Sequence, residues 1–312
     1  MAFHLMTEFR LAFAAAASTF LLLVVGGLVH ATGSSLACPD WPLCYGQFFP
    51  AMEGGVLFEH GHRLVALAVS VLTVVTAVVV WRRRTDRAAR VGSLLAVLLV
   101  LFQASLGALT VVMKLPLLVS SAHLATSMAF FSTLVWLAWR LDPRPDPGPS
   151  PAAPGGVRTL AALAAGGTYL QIVLGALVRH SGSGLACGTE VVLCQGALWP
   201  LGGPAQLVTL HRAVGLVVAA LVIAAAASVV RSGPSRARRA AFLAVGLVAV
   251  QVLLGAWTVW SMVAVPVVTL HLAVGALLLA DTLLLLLLSG PRPAPGATRT
   301  GHALPDLLHA PG

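Results

Sequence analysis

The sequence predicts an all-α integral membrane protein. Its eight transmembrane helices form two pseudo-symmetric four-helix bundles, a parallel repeat with both termini cytoplasmic. Three observations carry this reading. Charged residues make up 9 % of the 312 residues and apolar residues 58 %, whereas a soluble domain carries about 25 % charged residues. Apolar runs of about 20 residues, the length that spans a bilayer as a helix, recur along the chain. One residue pattern also occurs twice. Cys38, Cys44, His62 and His123 return as Cys187, Cys194, His211 and His271, at offsets of 149, 150, 149 and 148.

The elements follow in chain order. Apolar runs cover 11–30, 58–81, 91–113 and 116–139 in the first half. They cover 158–180, 206–230, 240–262 and 265–289 in the second. The first run belongs to the repeat and is not read as a cleaved signal peptide. Between the halves, 140–157 is dense in proline, which lacks a backbone donor and clashes inside a helix. It is expected to be a semi-extended cytoplasmic tether. The division is therefore an N-terminal half over 1–139, the linker, a C-terminal half over 158–289, and a disordered tail over 290–312. Four helices per half is an even number, so both halves enter the membrane from the same side.

Charge sets the orientation. Of 19 basic residues, all but Arg63, Lys114, Arg179 and Arg212 fall in the N-terminal tail, the 82–90 loop, the linker, the 231–239 loop and the C-terminal tail. By the positive-inside rule those segments are cytoplasmic and the cysteine loops extracytoplasmic, in a multi-pass plasma-membrane protein. The net charge of +9 then reads as orientation and attraction to anionic lipid. No basic-aromatic interleaving points to nucleic acid.

Cys38–Cys44 and Cys187–Cys194 are two local pairs on the oxidising side, where disulfides form. A pair that cycles as a dithiol is the alternative to a loop staple. Zinc is disfavoured, since neither pair stands beside a second pair in sequence. Trp41 and Trp199 suit the interface. Gln103 with Leu106-Gly107-Ala108, Gln171 with Leu174-Gly175-Ala176, and Gln251 with Leu254-Gly255-Ala256 are a recurring motif. We read its small residues as packing between helices.

The histidines carry the chemistry. His62 and His211 lie about one turn inside the second and sixth runs, His123 and His271 about two turns inside the fourth and eighth. All four sit on the outer side, roughly 6–10 Å below the helix mouths at about 1.5 Å per residue. An ionisable residue at such depth is costly and marks function by default. A lone helix histidine is more often a packing residue, but four in a repeated register are not explained that way. Each half supplies two imidazoles from non-adjacent helices, which suits bis-imidazole haem ligation. The pairs are His62 with His123 and His211 with His271. Arg63 and Arg212 follow directly and are candidate propionate contacts, or simply snorkelling cations. Glu59 precedes His62 by three residues on the same face, and its counterpart is Val208. A carboxylate in one half alone suggests one reactive site and one electron-transfer site. A di-iron centre would need several more carboxylates than the membrane core offers. His30, His60 and His180 read as polar interface residues.

The residues from Gly26-Gly27 through His30, Cys38-Pro-Asp-Trp-Pro-Leu-Cys44 and Glu59-His60-Gly61-His62-Arg63 to His123, then Leu210-His211-Arg212 and His271, resemble the haem A synthase family. The resemblance covers roughly 10–289. It implies oxidation of the C8 methyl of haem O to a formyl group, making haem A for cytochrome oxidase. It implies haem O as substrate between His62 and His123, a haem B cofactor ligated by His211 and His271, and Glu59 assisting at the methyl. Haem B would relay electrons, and successive hydroxylations with loss of water would give the aldehyde. The family usually has arginine where this chain has His30, as Arg179 shows in the second half, so His30 and Arg179 join the candidate propionate contacts. The cysteine loops match the bacterial branch with disulfides. A haem O synthase is the natural supplier of substrate. The residues identify neither an electron donor nor a homo-oligomer.

Two rivals remain at this stage. A bis-histidine dihaem cytochrome carrying electrons from quinol explains the histidines but not Glu59. A transporter with a parallel repeat would place its polar residues at the midplane, not near the outer side.

Overall fold

A computed structural model describes residues 2–143 and 153–291, with side chains from Met6 onward. All eight expected helices are present. They are α1 (Ala2–Ala31), α2 (Gly54–Arg83), α3 (Arg87–Val112), α4 (Leu117–Leu141), α5 (Gly155–His180), α6 (Gly203–Ser232), α7 (Arg238–Trp260) and α8 (Val265–Ser289). Each is long and apolar enough to cross a membrane. Among the described residues no strand occurs, only isolated β-bridges inside the cysteine loops. Half of the linker, 144–152, and nearly all of the tail, where the tether and the disordered end were expected, lie outside the described residues.

The helices run further than the apolar runs. α1 begins at Ala2, nine residues before the run at 11. Polar first turns are added where a helix end meets a loop. Glu8, near the start of α1, is buried and receives Arg84 Nη2 at 3.0 Å from the end of α2. Asp86 caps α3 by accepting from Ala88 N at 3.0 Å, and it accepts from Arg140 Nε of α4 at 2.8 Å. Two ion pairs thus tie α1 to α2 and α3 to α4 at the basic end, and the Asp86 cap satisfies a backbone donor that a helix start leaves open.

Helix contacts repeat. α1 packs on α2 and α4, α3 on α2 and α4; in the same way α5 packs on α6 and α8, α7 on α6 and α8. The halves meet where α1 touches α8, α4 touches α5, and α4 touches α8. The seams use small side chains. Ala161, Ala164, Ala225, Ala241 and Ala244 are fully buried in the second half, Ala12 and Ala15 in the first. Small residues let backbones approach where lipid removes the hydrophobic drive between helices. Leu67, Val71, Val74, Leu98, Leu101 and Phe102 face outward instead, as a lipid-facing surface requires.

The α3–α4 and α7–α8 turns are built alike. Lys114 and Leu115 have φ of 55° and 62°, Met262 and Val263 of 53° and 57°. Leu115 N donates to Thr110 O at 2.7 Å, and Val263 N to Thr258 O at 2.8 Å. Left-handed residues there satisfy terminal carbonyls and reverse the chain tightly. These turns fix how far His123 and His271 stand below the helix mouths.

Candidate functional site

Both cysteine pairs are disulfides, Cys38–Cys44 and Cys187–Cys194. Each loop closes on a left-handed turn, Tyr45-Gly46 in the first and Gln195-Gly196 in the second. Asp40 accepts from Tyr45 N at 2.7 Å and Gly46 N at 2.8 Å, while Glu190 accepts from Gly196 N at 3.3 Å. Those backbone donors hold the Asp40 carboxyl below the ordinary carboxylate range.

The arginine that follows each first histidine ties down its loop. Arg63 Nη1 donates to Leu43 O at 2.5 Å and Asp40 O at 2.7 Å; Arg212 Nη1 donates to Leu193 O at 3.3 Å. In the first half the clamp goes further. Glu59 Oε1 accepts from Arg63 Nη2 at 2.6 Å, and Glu59 Oε2 accepts from Cys38 N at 2.7 Å. The carboxylate is 4 % exposed. Val208 takes its place in the second half, packed with Cys187, Cys194 and Ala205 in an apolar cluster. Glu59 therefore links the disulfide loop to the helix bearing His62. Arg212 keeps a buried Nη2 without a protein partner.

Each of the four helix histidines rests against a glycine of a neighbouring helix. A Cβ on Gly26 would stand 3.0 Å from His62 Cε1, on Gly107 3.2 Å from His123 Cε1, on Gly175 3.1 Å from His211 Cε1, and on Gly255 3.3 Å from His271 Cε1. The flat ring lies where any other residue would put a methyl group. Within each half the two imidazoles are near neighbours, His62 of His123 and His211 of His271. The ligand pairs expected from the sequence are thus brought together on opposite helices of each bundle.

A glutamine one turn before the glycine supports three of the four. Gln103 Nε2 lies 2.9 Å from His123 Nδ1, Gln171 Nε2 3.1 Å from His211 Nδ1, and Gln251 Nε2 3.4 Å from His271 Nε2. The sequence motif read as helix packing is in fact the seat of the histidines. A pattern confined to one helix could not show what lay across the groove.

His30, His180 and Arg179 meet between the halves. Arg179 Nε donates to His30 Nδ1 at 3.3 Å, so His30 Nε2 carries its proton toward His180 Nδ1 at 2.9 Å. His180 lies close enough to His123 to feel its charge. His60 is buried, its Nε2 2.8 Å from Phe48 O. Its ring and both sulfurs of the Cys38–Cys44 disulfide lie within 4.8 Å of one another.

Two diagonal imidazole pairs, each on glycine seats and beside a disulfide loop, lie in a chain that is similar to known proteins over most of its length. The profile of the cytochrome oxidase assembly protein family COX15-CtaA matches residues 9–55 and 52–283. The chain belongs to this family. A protein of Symbiobacterium thermophilum named Heme A synthase is 34 % identical over 250 residues, covering 76 % of this chain and 80 % of that protein. A Heme A synthase of Halalkalibacterium halodurans is 32 % identical over 213 residues, covering 66 % of this chain and 70 % of that protein. A protein of Halobacterium salinarum named Protoheme IX farnesyltransferase is 35 % identical over 138 residues, which is 44 % of this chain and 30 % of that protein.

Proposed function

We propose that this chain is a haem A synthase, oxidising the C8 methyl of haem O to a formyl group. Membership of the family, with relatives of that name across most of the chain, favours this over an electron-carrying cytochrome. The observation that carries it is the asymmetry between two otherwise matched sites. Glu59, held by Arg63, stands one turn before His62, and Val208, in an apolar cluster, one turn before His211.

The residues fit haem. Each half holds two half-buried imidazoles on non-adjacent helices, and the glycine seats leave room for flat rings that a Cβ would crowd. Arg212 has an unpartnered Nη2, suited to a propionate. His62 and His123 would hold haem O as substrate; His211 and His271 would hold haem B. When bound, haem supplies the redox and oxygen chemistry.

The chain's own residues do the rest. Glu59 holds the loop through Cys38 N and is held by Arg63, so its carboxylate is fixed at the mouth of the first site. In that position the carboxylate accepts one proton released as the methyl is oxidised. Arg63, whose donors go to Glu59 and the loop carbonyls, keeps that roof closed against water. His30, Arg179 and His180 bridge the halves near His123 and offer donors to propionates. The linker side is cytoplasmic and the disulfide loops extracytoplasmic, in the plasma membrane. The Halobacterium salinarum protein named Protoheme IX farnesyltransferase shares 138 residues with this chain over 30 % of its own length. That supports a farnesyltransferase making haem O as the neighbour that supplies substrate.

The test is expression in a host that makes haem O but no haem A. The reading expects haem A in extracts of its membranes. Protein that holds haem yet leaves haem O unconverted would overturn it.

A further inference from the structure

The four histidine seats are not equal. Leu22 stands one turn before Gly26, where Gln103, Gln171 and Gln251 stand one turn before Gly107, Gly175 and Gly255. It lies with Val65 and Val69 in an apolar cluster. His62 Nδ1 is buried with no hydrogen-bond partner, as is His271 Nδ1, but His271 still meets its glutamine through Nε2 whereas His62 has no amide beside it.

The opposite wall of each seat follows the same division. Four residues after each histidine stand Ala66, Ser127, Gly215 and Gly275. Ser127 Oγ accepts from Gln103 Nε2 at 3.1 Å. A Cβ on Gly215 would stand 2.9 Å from Gln171 Nε2, and one on Gly275 3.2 Å from Gln251 Nε2. The wall is open or polar wherever an amide occupies the seat, and carries a methyl only where leucine does. Two helices thus change together at one site of four.

An amide is suited to this work. An imidazole that binds iron through Nε2 carries its proton on Nδ1 and needs an acceptor there. The amide oxygens of Gln103, Gln171 and Gln251 are buried and unpartnered; turning the amide over presents that oxygen to the ring, in exchange for the bonds that Nε2 of Gln103 and Gln171 makes to His123 O and His211 O at 2.8 Å. His271, which faces Gln251 through Nε2, would also turn its ring. A partner on the second nitrogen fixes the ring and strengthens it as a ligand, and removing such a partner typically weakens metal binding by about 10–100-fold.

We infer that Leu22 makes His62 the exchangeable iron ligand of the substrate site, while Gln103, Gln171 and Gln251 fix the other three. This rests on the reading of the first half as the substrate site and says how that site opens. A site that must admit one haem and release another is served by one ligand that lets go. A site that keeps its haem is served by two that do not. Leu22 and the glutamines act here as positioning residues, through the histidines.

Carbon monoxide binding to the purified, dithionite-reduced protein reads ligand exchange without turnover. Haem content per chain is measured alongside. In the wild type, carbon monoxide should bind haem of the first site and leave the second inert. L22Q combined with A66G, which gives the amide the room Gly215 provides, should weaken carbon monoxide binding at least about tenfold at unchanged haem content. Q171L should make the second site reactive. Unchanged affinity in L22Q/A66G at full haem content overturns the inference. Should that variant fail to fold, a second site still inert in Q171L overturns it alone. A wild type that holds no haem would instead sink the functional reading beneath it.

Discussion

Gly175→Ala separates a haem seat from ordinary helix packing. The new Cβ would stand 3.1 Å from His211 Cε1, 3.7 Å from Nδ1 and 3.9 Å from Nε2. Carbon contacts settle at about 3.5–4.0 Å, so the ring must retreat by roughly half an ångström. If His211 only fills space, it turns aside, and the cost stays at the low end of the roughly 1–3 kcal/mol typical of overpacking. If it is an iron ligand, the iron holds the ring in place and the strain falls on the bond. Loss of haem affinity of about 10–100-fold then follows, as for other disturbed ligand supports. Gly166 lies in the same helix with nothing within 4 Å of its Cβ position. Gly166→Ala should therefore be neutral or gain up to about 1 kcal/mol of helix stability. The assay is haem per polypeptide under limiting haem, with Tm recorded for haem-free and haem-loaded protein. Gly175→Ala should lose haem while its haem-free Tm changes little. Wild-type haem content in this variant would refute the seat.

Three further outcomes are expected. Glu59→Gln keeps an acceptor for Cys38 N but removes the charge facing Arg63, so haem content should persist while haem A formation drops at least about tenfold; undiminished haem A yield would dismiss Glu59 as a proton acceptor. Glu8→Ala leaves Arg84 buried and unpaired, a loss of about 3–5 kcal/mol, visible as a lowered Tm in detergent; an unchanged Tm would show the pair to be dispensable. Arg140 holds the Asp86 carboxyl below its ordinary 3.8, so Asp86 contributes stability above that pH and loses it as pH falls through the lowered value. Asp86→Asn should thus be less stable than wild type by a constant margin above about pH 5, with the margin closing below about pH 4. A margin that persists in acid would mean the pair acts through packing.

Much of this was legible before any coordinates. Runs of apolar residues located all eight helices because a bilayer admits little else. The doubled Cys-Cys-His-His register singled out both disulfides and the four histidines that sit on glycine seats. The partners across grooves were hidden. Gly175 and His211 are 36 residues apart, and only helix rotation brings them into contact. Arg63 and Arg212 read from sequence as propionate contacts or snorkelling cations; their hydrogen bonds to loop carbonyls are recorded by no side-chain pattern. His30 and His180 looked like unrelated edge residues because their hydrogen bond joins the two halves. Glu59 was singled out correctly as the break in symmetry, but its attachment to Cys38 N could be seen only in three dimensions.

The central claim is that the halves hold different haems, substrate in the first and a resident cofactor in the second. Haem extracted from purified wild type and from His211→Ala, each identified by chromatography, tests it most directly. The account predicts haem B together with haem O or A in the wild type, and loss of haem B alone in His211→Ala. Two haem B per chain in the wild type, or equal loss of both kinds in the variant, would contradict it.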